Sequence, residues 1–455
     1  MVIMNKKKIN ASFLLLIIVP LIVICALAIY SVTKSGAFIN ISDDKTDGGE
    51  KTDIPDDSEK PIGKTEIDSK NKTEEPPLPQ VPEKKYRKIT FAAAGDILVH
   101  TNVYKYASQL AADSDAEYDF KPMFANIKEI ISSADIAYVN QETPCAGKER
   151  GYSGYPTFNT PDEIADAVID AGFDIVNIAN NHMLDKGESG HSRNIDFWSE
   201  KPEITLLGGF KNEEDYNTVR VIEQEGVKIA FLSYTYGTNG MVLPASSELV
   251  VPYSDADEID RQTKEARELA DVVIVSMHWG YEDNFAPNEE QKNLARIMAD
   301  NGVDVILGMH SHVLQPIEWL DRPDGGKTLC IYSLGNLIST MMYGRNMLGG
   351  IITFEINEND DGFVIENAEL IPIMTYYQSG FSSPTIYLYK NFTADMEKNH
   401  GAHRYDSRMS QSYLDNIIKT TIDRSFIKDE YYDEIYGDAE SKYEISNSDT
   451  ENAAA

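Results

Sequence analysis

Several apolar runs in this sequence each stop at side chains that can bind a metal ion. The run from Val303 to Leu307 leads into His310 and His312, and a run of Val and Ile that stops at Gly predicts a buried strand. The His-x-His pair that follows is then expected on a loop at the carboxyl end of that strand. If strand geometry extends through the pair, both imidazoles face one side, because residues i and i+2 do. Four further runs end at the following side chains: Asp96; Asn140 and Glu142; Asn180, Asn181 and His182; and His278.

These strand ends predict one polar site. In open α/β sheets, sites form outside the carboxyl ends of the strands. The side chains at these ends offer oxygen and imidazole nitrogen without thiolate, a ligand set that suits hard or borderline divalent ions. A metal-dependent hydrolytic site is therefore the first hypothesis.

Each motif also has a purely structural interpretation. Asp96 follows a glycine, which is ordinary turn chemistry, and His278 alone is better explained as a core histidine bonded to the backbone. The run that ends at His182 could be a satisfied turn network. The functional interpretation depends on the set, because five of the eight histidines lie at or just past strand ends. Those five are His100, His182, His278, His310 and His312, and the other three, His191, His400 and His403, are expected to be peripheral.

Strand-like and helix-like segments alternate through the middle of the chain, which predicts a largely parallel sheet with helices outside. Thr160 is predicted to cap a helix over residues 161–171, and apolar spacing predicts another helix over residues 124–134. The later strands, 351–355 and 364–371, follow one another without a helix and predict antiparallel additions.

The formal net charge of −33 over 455 residues argues against nucleic acid as a partner, since its binding needs a basic surface. Three cysteines are too few for a disulfide framework. Cys25 lies in an apolar segment, and Cys145 and Cys330 could pair in an oxidising compartment. The strand-like surroundings of Cys330 favour buried free thiols instead.

The N-terminal residues predict a membrane anchor. Lysines at positions 6–8 precede an uncharged apolar run that approaches the ~20 residues needed to cross a bilayer. We expect residues 1–11 in the cytoplasm, residues 12–31 as a signal anchor, and the main domain outside a single-pass cell membrane protein. Cleavage after residues 26–28 and lipidation of Cys25 are the alternatives, although the bulky Ile24 disfavours the second.

Composition divides the rest of the chain. Residues 32–86 are acidic with almost no large apolar side chains, and they are predicted to form a disordered stalk. The folded domain is expected over residues 87–375, followed by an extension with one amphipathic helix over residues 376–428. Residues 429–455 are predicted to be a disordered acidic tail.

Six motifs occur along the chain in the following order: Gly95-Asp96, Asn140-x-Glu142, Asn180-Asn181-His182-x-x-Asp185, His278-Trp279-Gly280-Tyr281-Glu282, Gly308-x-His310-x-His312-x-x-Gln315-Pro316-Ile317-Glu318 and Tyr332-Ser333-Leu334-Gly335-Asn336. Together they resemble the motifs of the CapA-type poly-γ-glutamate capsule synthesis proteins, over residues 89–375. That family is similar to the calcineurin-like metallophosphoesterases. The resemblance therefore implies an α/β fold with a four-layer α/β/β/α sandwich.

The resemblance also assigns roles to single residues. It implies one or two divalent ions (Mn, Zn, Fe or Mg) with the following ligands: Asp96, Glu142, Asn181, His278, His310 and His312. It implies that His182, oriented by Asp185, is a general acid. The polar residues expected at the rim are His100, Asn140, Glu282, Ser333 and Asn336. The superfamily pattern has His at the position of Leu98 and Asp at that of Glu142, so one of the metals has fewer ligands here.

Three functions follow from the resemblance. The first is a metal-dependent hydrolase or transferase, acting on a phosphoester or amide bond in the making, release or attachment of poly-γ-glutamate or a related envelope polymer. The second is a non-catalytic accessory or binding subunit of a membrane polymer synthase, and the third is a metal-dependent phosphodiesterase unrelated to capsule. The expected partners are synthase membrane subunits and the anionic polymer, which a surface of this charge repels unless cations or a basic patch intervene.

Overall fold

The computed structural model describes residues 85–428, 430–431 and 435. The predicted cytoplasmic segment 1–11, the anchor 12–31 and residues 32–84 of the predicted stalk lie outside these residues. Within the described part of the chain, no helix is long and apolar enough to cross a membrane.

The strands have the following bounds: β1 Lys88–Ile97, β2 Ile136–Gln141, β3 Ile175–Asn177, β4 Thr205–Leu207, β5 Arg220–Gln224, β6 Val227–Thr235, β7 Val272–His278, β8 Val305–Met309, β9 Ile317–Asp321, β10 Lys327–Ile331, β11 Asn336–Ile338, β12 Leu348–Asn359, β13 Gly362–Gln378 and β14 Ser382–Leu388. The helices have the following bounds: α1 Thr101–Leu110, α2 Lys121–Phe124, α3 Lys128–Ser132, α4 Ile164–Ala171, α5 Gly187–Ser199, α6 Glu213–Tyr216, α7 Ala256–Leu269, α8 Glu289–Asp300, α9 Ala394–Asn399 and α10 Gln411–Thr421.

The strands form two sheets. The first has the order β14-β13-β12-β1-β2-β3-β4, with β11 paired to β1 beyond this path. Its β1 to β4 are parallel, and β12 to β14 are antiparallel, as predicted from their direct succession. The second sheet has the order β5-β6-β7-β8-β10-β9, parallel in its centre with one antiparallel strand at each edge.

The two sheets pack face to face. The ring of Phe91 in β1 stacks on Phe231 in β6, with centroids 6.4 Å apart, and the hydroxyl of Tyr138 lies 2.6 Å from that of Ser276. Strand β6 is apolar on both faces, because successive side chains point to opposite sides. Its odd-numbered residues, such as Phe231, join the core between the sheets.

The even-numbered residues of β6 face the other way. They include Leu232 and Tyr234, and they join a second core with Ile259 of α7 and Leu294 of α8. Residues of α1 to α4 belong to the same core as the first sheet. Layers of helix, sheet, sheet and helix follow from these contacts, and the predicted layered α/β fold is confirmed. Cys145 and Cys330 are both buried and free, as the second sequence interpretation expects.

Local predictions differ from the structure at two helices. Helix α4 begins at Ile164 and not at residue 161, and Thr160 does not cap it. The Thr160 hydroxyl instead donates to the hydroxyl oxygen of Thr143, at 2.8 Å. This hydrogen bond joins two loop segments and engages the hydroxyl that a cap would use. The helix predicted over residues 124–134 is divided into the short helices α2 and α3.

The predicted C-terminal boundaries are also wrong. The division at residue 375 falls inside β13, and β14 completes the first sheet. Tyr431 and Ile435 lie in the segment predicted to be a disordered tail, yet they are 1 % and 2 % exposed and belong to the main core. Two apolar residues four positions apart can bury one face, even in a segment of polar composition.

We expect Ile435→Ala to lower the free energy of unfolding by about 2–4 kcal/mol, because a deleted buried aliphatic group loses its transfer free energy and leaves a cavity. Urea unfolding measures the change. Val242→Ala is the control, since that side chain is 79 % exposed and its truncation should cost less than about 0.5 kcal/mol. An unchanged midpoint for Ile435→Ala would contradict packing of the C-terminal segment.

Candidate metal centre

A close crossing of two chain segments places Asp96. Strand β1 pairs with β11 at this point, and the Asp96 amide donates to the Gly335 carbonyl at 3.0 Å. A Cβ atom on Gly95 would lie 1.9 Å from that carbonyl oxygen. Gly95 is therefore required for the two segments to approach, and Asp96 projects from the end of a buried strand.

Buried amides hold the Asp96 carboxylate. The side-chain nitrogen of Asn140 donates to Asp96 Oδ1 at 2.7 Å, and Asn140 accepts a hydrogen bond from Asn177 at 2.8 Å. The backbone amide of His310 donates to Asp96 Oδ2 at 3.2 Å. Asn140, predicted at the rim, is thus the residue that orients a ligand.

Glu142 is the most unusual group in the site. It is fully buried, and neither carboxylate oxygen has a hydrogen-bond partner among the described residues. Its Oε1 lies 3.7 Å from Nε2 of His278 and 3.7 Å from Nε2 of His312. Burial raises the pKa of Glu142 well above its ordinary value, although His312 opposes the shift. Such a carboxylate is costly without a cation.

His310 and His312 converge for a different reason than the one the sequence suggests. Strand β8 ends at Met309, and the two histidines have φ values of +97° and +56°. The expectation that strand alternation aligns them is wrong. A turn with two residues in the left-handed region places their rings 5.9 Å apart. Non-glycine residues rarely adopt this backbone, and they cluster at functional sites.

His278, at the end of β7, completes the histidine group. Its ring lies 4.7 Å from that of His310, and its Nε2 lies 3.0 Å from Oδ1 of Asn181. Burial lowers the pKa of both His278 and His310 well below the ordinary value. Both therefore present neutral rings, the form in which imidazole binds metals.

His312 has a different environment. Its Nδ1 lies 3.0 Å from Oδ1 of Asn336 and 3.4 Å from Oδ2 of Asp96. Burial lowers its pKa, but the carboxylates of Glu142 and Asp96 more than offset this and raise it to about 10. Asn336, predicted at the rim, fixes the orientation of this ring.

The structure brings the predicted ligands together. In each of three groups, the potential ligand atoms lie within 4.8 Å of one another. The groups are Glu142 with His278 and His310, Asp96 with Glu142 and His312, and Glu282 with His310 and His312. We call these six residues the ligand cluster. Glu282 joins it from an exposed loop, while Asn181 touches the cluster through His278.

His182 lies beside the cluster in a separate arrangement. Its Nδ1 is 2.8 Å from Oδ2 of Asp185, and the same oxygen accepts the Phe158 amide at 2.6 Å. The edge of the Phe158 ring packs on the imidazole, with centroids 4.7 Å apart. Asp185 therefore orients the imidazole, as the resemblance implies, and holds a proton on Nδ1.

Two predicted rim residues support loops instead. Nδ1 of His100 accepts the Thr340 amide at 3.4 Å, and burial lowers its pKa to about 4. The Ser333 hydroxyl accepts the Gly335 amide at 3.1 Å. Neither residue belongs to the three ligand groups of the described chain.

Sequence reasoning missed the loop that follows β6. Tyr236 packs on His310 with ring centroids 4.4 Å apart. Asn239, at φ +52°, accepts from Asn181 at 3.4 Å and lies 3.5 Å from Nδ1 of His182. The sequence contains a signal for this loop, because β6 is a buried strand and polar side chains follow its carboxyl end.

The fold and cluster define a layered α/β protein with a polyhistidine–carboxylate centre at its strand ends. The family model described as "Bacterial capsule synthesis protein PGA_cap" matches residues 90–341, more than half of the chain. The chain therefore belongs to this family.

Two relatives support this assignment. The chain is 29 % identical over 287 residues to the PGA biosynthesis protein CapA of Bacillus subtilis (strain 168), an alignment that covers 60 % of this chain and 69 % of the relative. It is 26 % identical over 290 residues to the capsule biosynthesis protein CapA of Bacillus anthracis, over 61 % and 66 % of the two chains.

Solved structures are similar at a lower level. A phosphatase from Mycoplasma pneumoniae has a TM-score of 0.40 and 14 % identity, over 64 % of this chain and 95 % of that one. A 5'-nucleotidase precursor from Thermus thermophilus has a TM-score of 0.38 and 11 % identity, over 63 % and 54 %.

Glu142→Gln is expected to raise the free energy of unfolding of metal-free protein by about 1–3 kcal/mol, because it removes a buried carboxylate whose oxygens accept no hydrogen bond from the described residues, a cost that His312 at 3.7 Å offsets only in part. The raised pKa of Glu142 means that the folded state holds its proton more tightly. The cost of the carboxylate is therefore absent at low pH, and the difference between the proteins should widen as pH rises above about 4.3.

Chemical denaturation in the presence of a chelator, repeated at several pH values, measures this difference. Glu282→Gln is the matched control, because its carboxylate is exposed and its neutralisation should change stability by less than about 0.5 kcal/mol. A destabilised Glu142→Gln protein would show that the carboxylate is satisfied without a cation.

Proposed function

We propose that this protein acts in capsule biosynthesis as a metal-dependent hydrolase or transferase on poly-γ-glutamate or a related envelope polymer. The family supports the process, and the ligand cluster supports the chemistry. The reaction, its substrate and its partners are all proposed.

The observation that carries the metal is the state of Glu142. A carboxylate with two unpartnered buried oxygens faces three imidazoles and a second carboxylate, Asp96. Oxygen and neutral imidazole ligands fit Mn, Zn, Fe or Mg, with Zn and Fe favoured where imidazole dominates. The residues present therefore fit one or two divalent ions, held by Asp96, Glu142 and the histidines of the cluster.

A bound divalent ion would supply Lewis acidity toward a carbonyl or phosphoryl oxygen. The protein supplies the rest. Asn140 and Asn336 orient Asp96 and His312, and such partners of ligands tune metal affinity. His182, with Nδ1 directed at Asp185, leaves Nε2 available to deliver a proton to a leaving group. Phe158 packs perpendicular to that ring and helps to fix its position.

A second candidate function is an accessory subunit that binds the polymer or its synthase without catalysis. The surroundings of the cluster favour it in one respect. Arg345 donates to both carboxylate oxygens of Asp283, the residue that follows Glu282, with both distances 2.9 Å. The guanidinium of Arg345 is therefore not free to bind a polymer carboxylate. A variant of His182 distinguishes the two functions.

Membrane attachment is part of the proposal and is supported by the sequence. Residues 12–31 would anchor the protein, with the folded domain outside the cell membrane. We expect the full chain to fractionate with membranes and to be cut by external protease within residues 32–84. Removal of residues 1–31 should release the domain. Recovery of the full chain in the soluble fraction would contradict the anchor.

His310→Ala and His182→Ala should separate metal binding from proton transfer. The first removes a ligand and should lower the metal content of the purified protein. The second should leave metal content nearly unchanged but reduce turnover by roughly 10²–10⁴-fold, the usual contribution of a general acid. Elemental analysis measures the metal, and polymer yield and chain length in cells report the activity.

His403→Ala is the matched control, because His403 is exposed and its Nε2 donates to the nearby Glu397 carbonyl. Normal polymer from His182→Ala together with loss of polymer from His310→Ala would favour the accessory function. Full metal content in His310→Ala would contradict the site assignment.

A further inference from the structure

A cavity of about 300 Å³ adjoins the ligand cluster and shares His310 and Glu282 with it. Its volume is at the lower end of the range for small-molecule pockets. Three aromatic side chains, Tyr236, Trp279 and Tyr281, line it together with the carboxylates of Glu282 and Glu290. None of its lining residues is Lys or Arg.

The two carboxylates are available to a ligand. Both are exposed, and within the described chain neither has an ion-pair partner. The neighbouring Glu289 differs, because it pairs with Lys292 at 2.9 Å. Two unpaired carboxylates at the mouth of one cavity attract a cation and repel an anion.

The aromatic side chains that line the cavity favour an organic cation over a metal ion. Tyr281 is 63 % exposed and Tyr236 is 40 % exposed, so both present ring surface to an entering group. An organic ammonium gains from aromatic faces and from carboxylates at once, whereas a small metal ion gains little from the rings. His310 is only 2 % exposed, and its buried Nδ1 has no partner in the described structure.

We propose that this cavity binds a primary ammonium group at the amino end of the substrate chain, directly beside the ligand cluster. The proposal rests on the proposed function. A γ-linked polyglutamate carries a carboxylate on every residue but an ammonium at one end only. The terminal residue also keeps its carboxylate, but its ammonium offsets that charge, so Glu282 and Glu290 favour the amino end over every other part of the chain. The cavity adjoins the cluster through His310 and Glu282, so the cluster meets a bond near the amino end.

The test is a titration of full-length protein with n-butylammonium, and with n-butanol and butyrate as neutral and anionic analogues, followed by ligand-detected NMR. We expect n-butylammonium to bind at least about tenfold more tightly than n-butanol, the effect of roughly one charge-assisted contact. Glu290→Gln should abolish that preference. Glu289→Gln is the matched control on the same helical turn and should retain it.

Equal binding of n-butylammonium and n-butanol would overturn the proposal, and so would an equal loss in Glu289→Gln and Glu290→Gln. Metal content is measured on the same samples to separate the two proposals. If the protein binds no metal but still binds ammonium through Glu290, the metal function is refuted and the cavity proposal stands. Protein that binds metal but shows no ammonium preference would refute only the cavity.

Discussion

The structure depends on a buried carboxylate that the protein alone does not satisfy. Glu142 lies among Asp96 and three imidazoles, without water exposure and without a hydrogen bond to either oxygen. Removing this charge from water costs free energy when the chain folds. The packing of the two sheets offsets this cost. It brings the carboxyl ends of β1, β2, β7 and β8 to one edge and holds them there through a continuous apolar core.

Neutral amides orient the ligand cluster. Asn140 holds Asp96, Asn336 holds His312, and Asn181 touches His278. An amide can donate and accept without adding charge, so it orients a ligand and leaves the charge balance of the centre unchanged. A carboxylate in these positions would add to an already unfavourable buried negative charge. The same logic explains why the amides are buried and linked to one another, as Asn177 is to Asn140.

The electrostatics outside the cluster restrict what it can act on. Arg345 is paired with Asp283, the residue after Glu282, and the adjoining cavity carries Glu282 and Glu290. The net charge of −33 has the same sign. These charges disfavour the approach of anions that come without a cation.

The sequence by itself determined the class of fold and most of the cluster. Buried strands in an alternating α/β order are apolar on both faces, so each one is recognisable as a short continuous apolar run in the sequence. Asp96, Glu142, His278, His310 and His312 were found because polar side chains at strand ends must meet at one edge. The tail was misjudged, since composition does not reveal that Tyr431 and Ile435 find an apolar surface to cover.

Only the tertiary structure decided how these residues meet. His310 and His312 converge through two left-handed backbone positions after β8 ends, and strand alternation does not predict such positions. His100 and Ser333 are polar residues that follow predicted strands, as the ligands are. Their side chains instead accept hydrogen bonds from backbone amides of loops. Tyr236, Asn239 and Phe158 reach the site from loops whose paths depend on packing far away in sequence. Side-chain type and strand position are encoded locally, but hydrogen-bond partners and loop paths are set by the whole core.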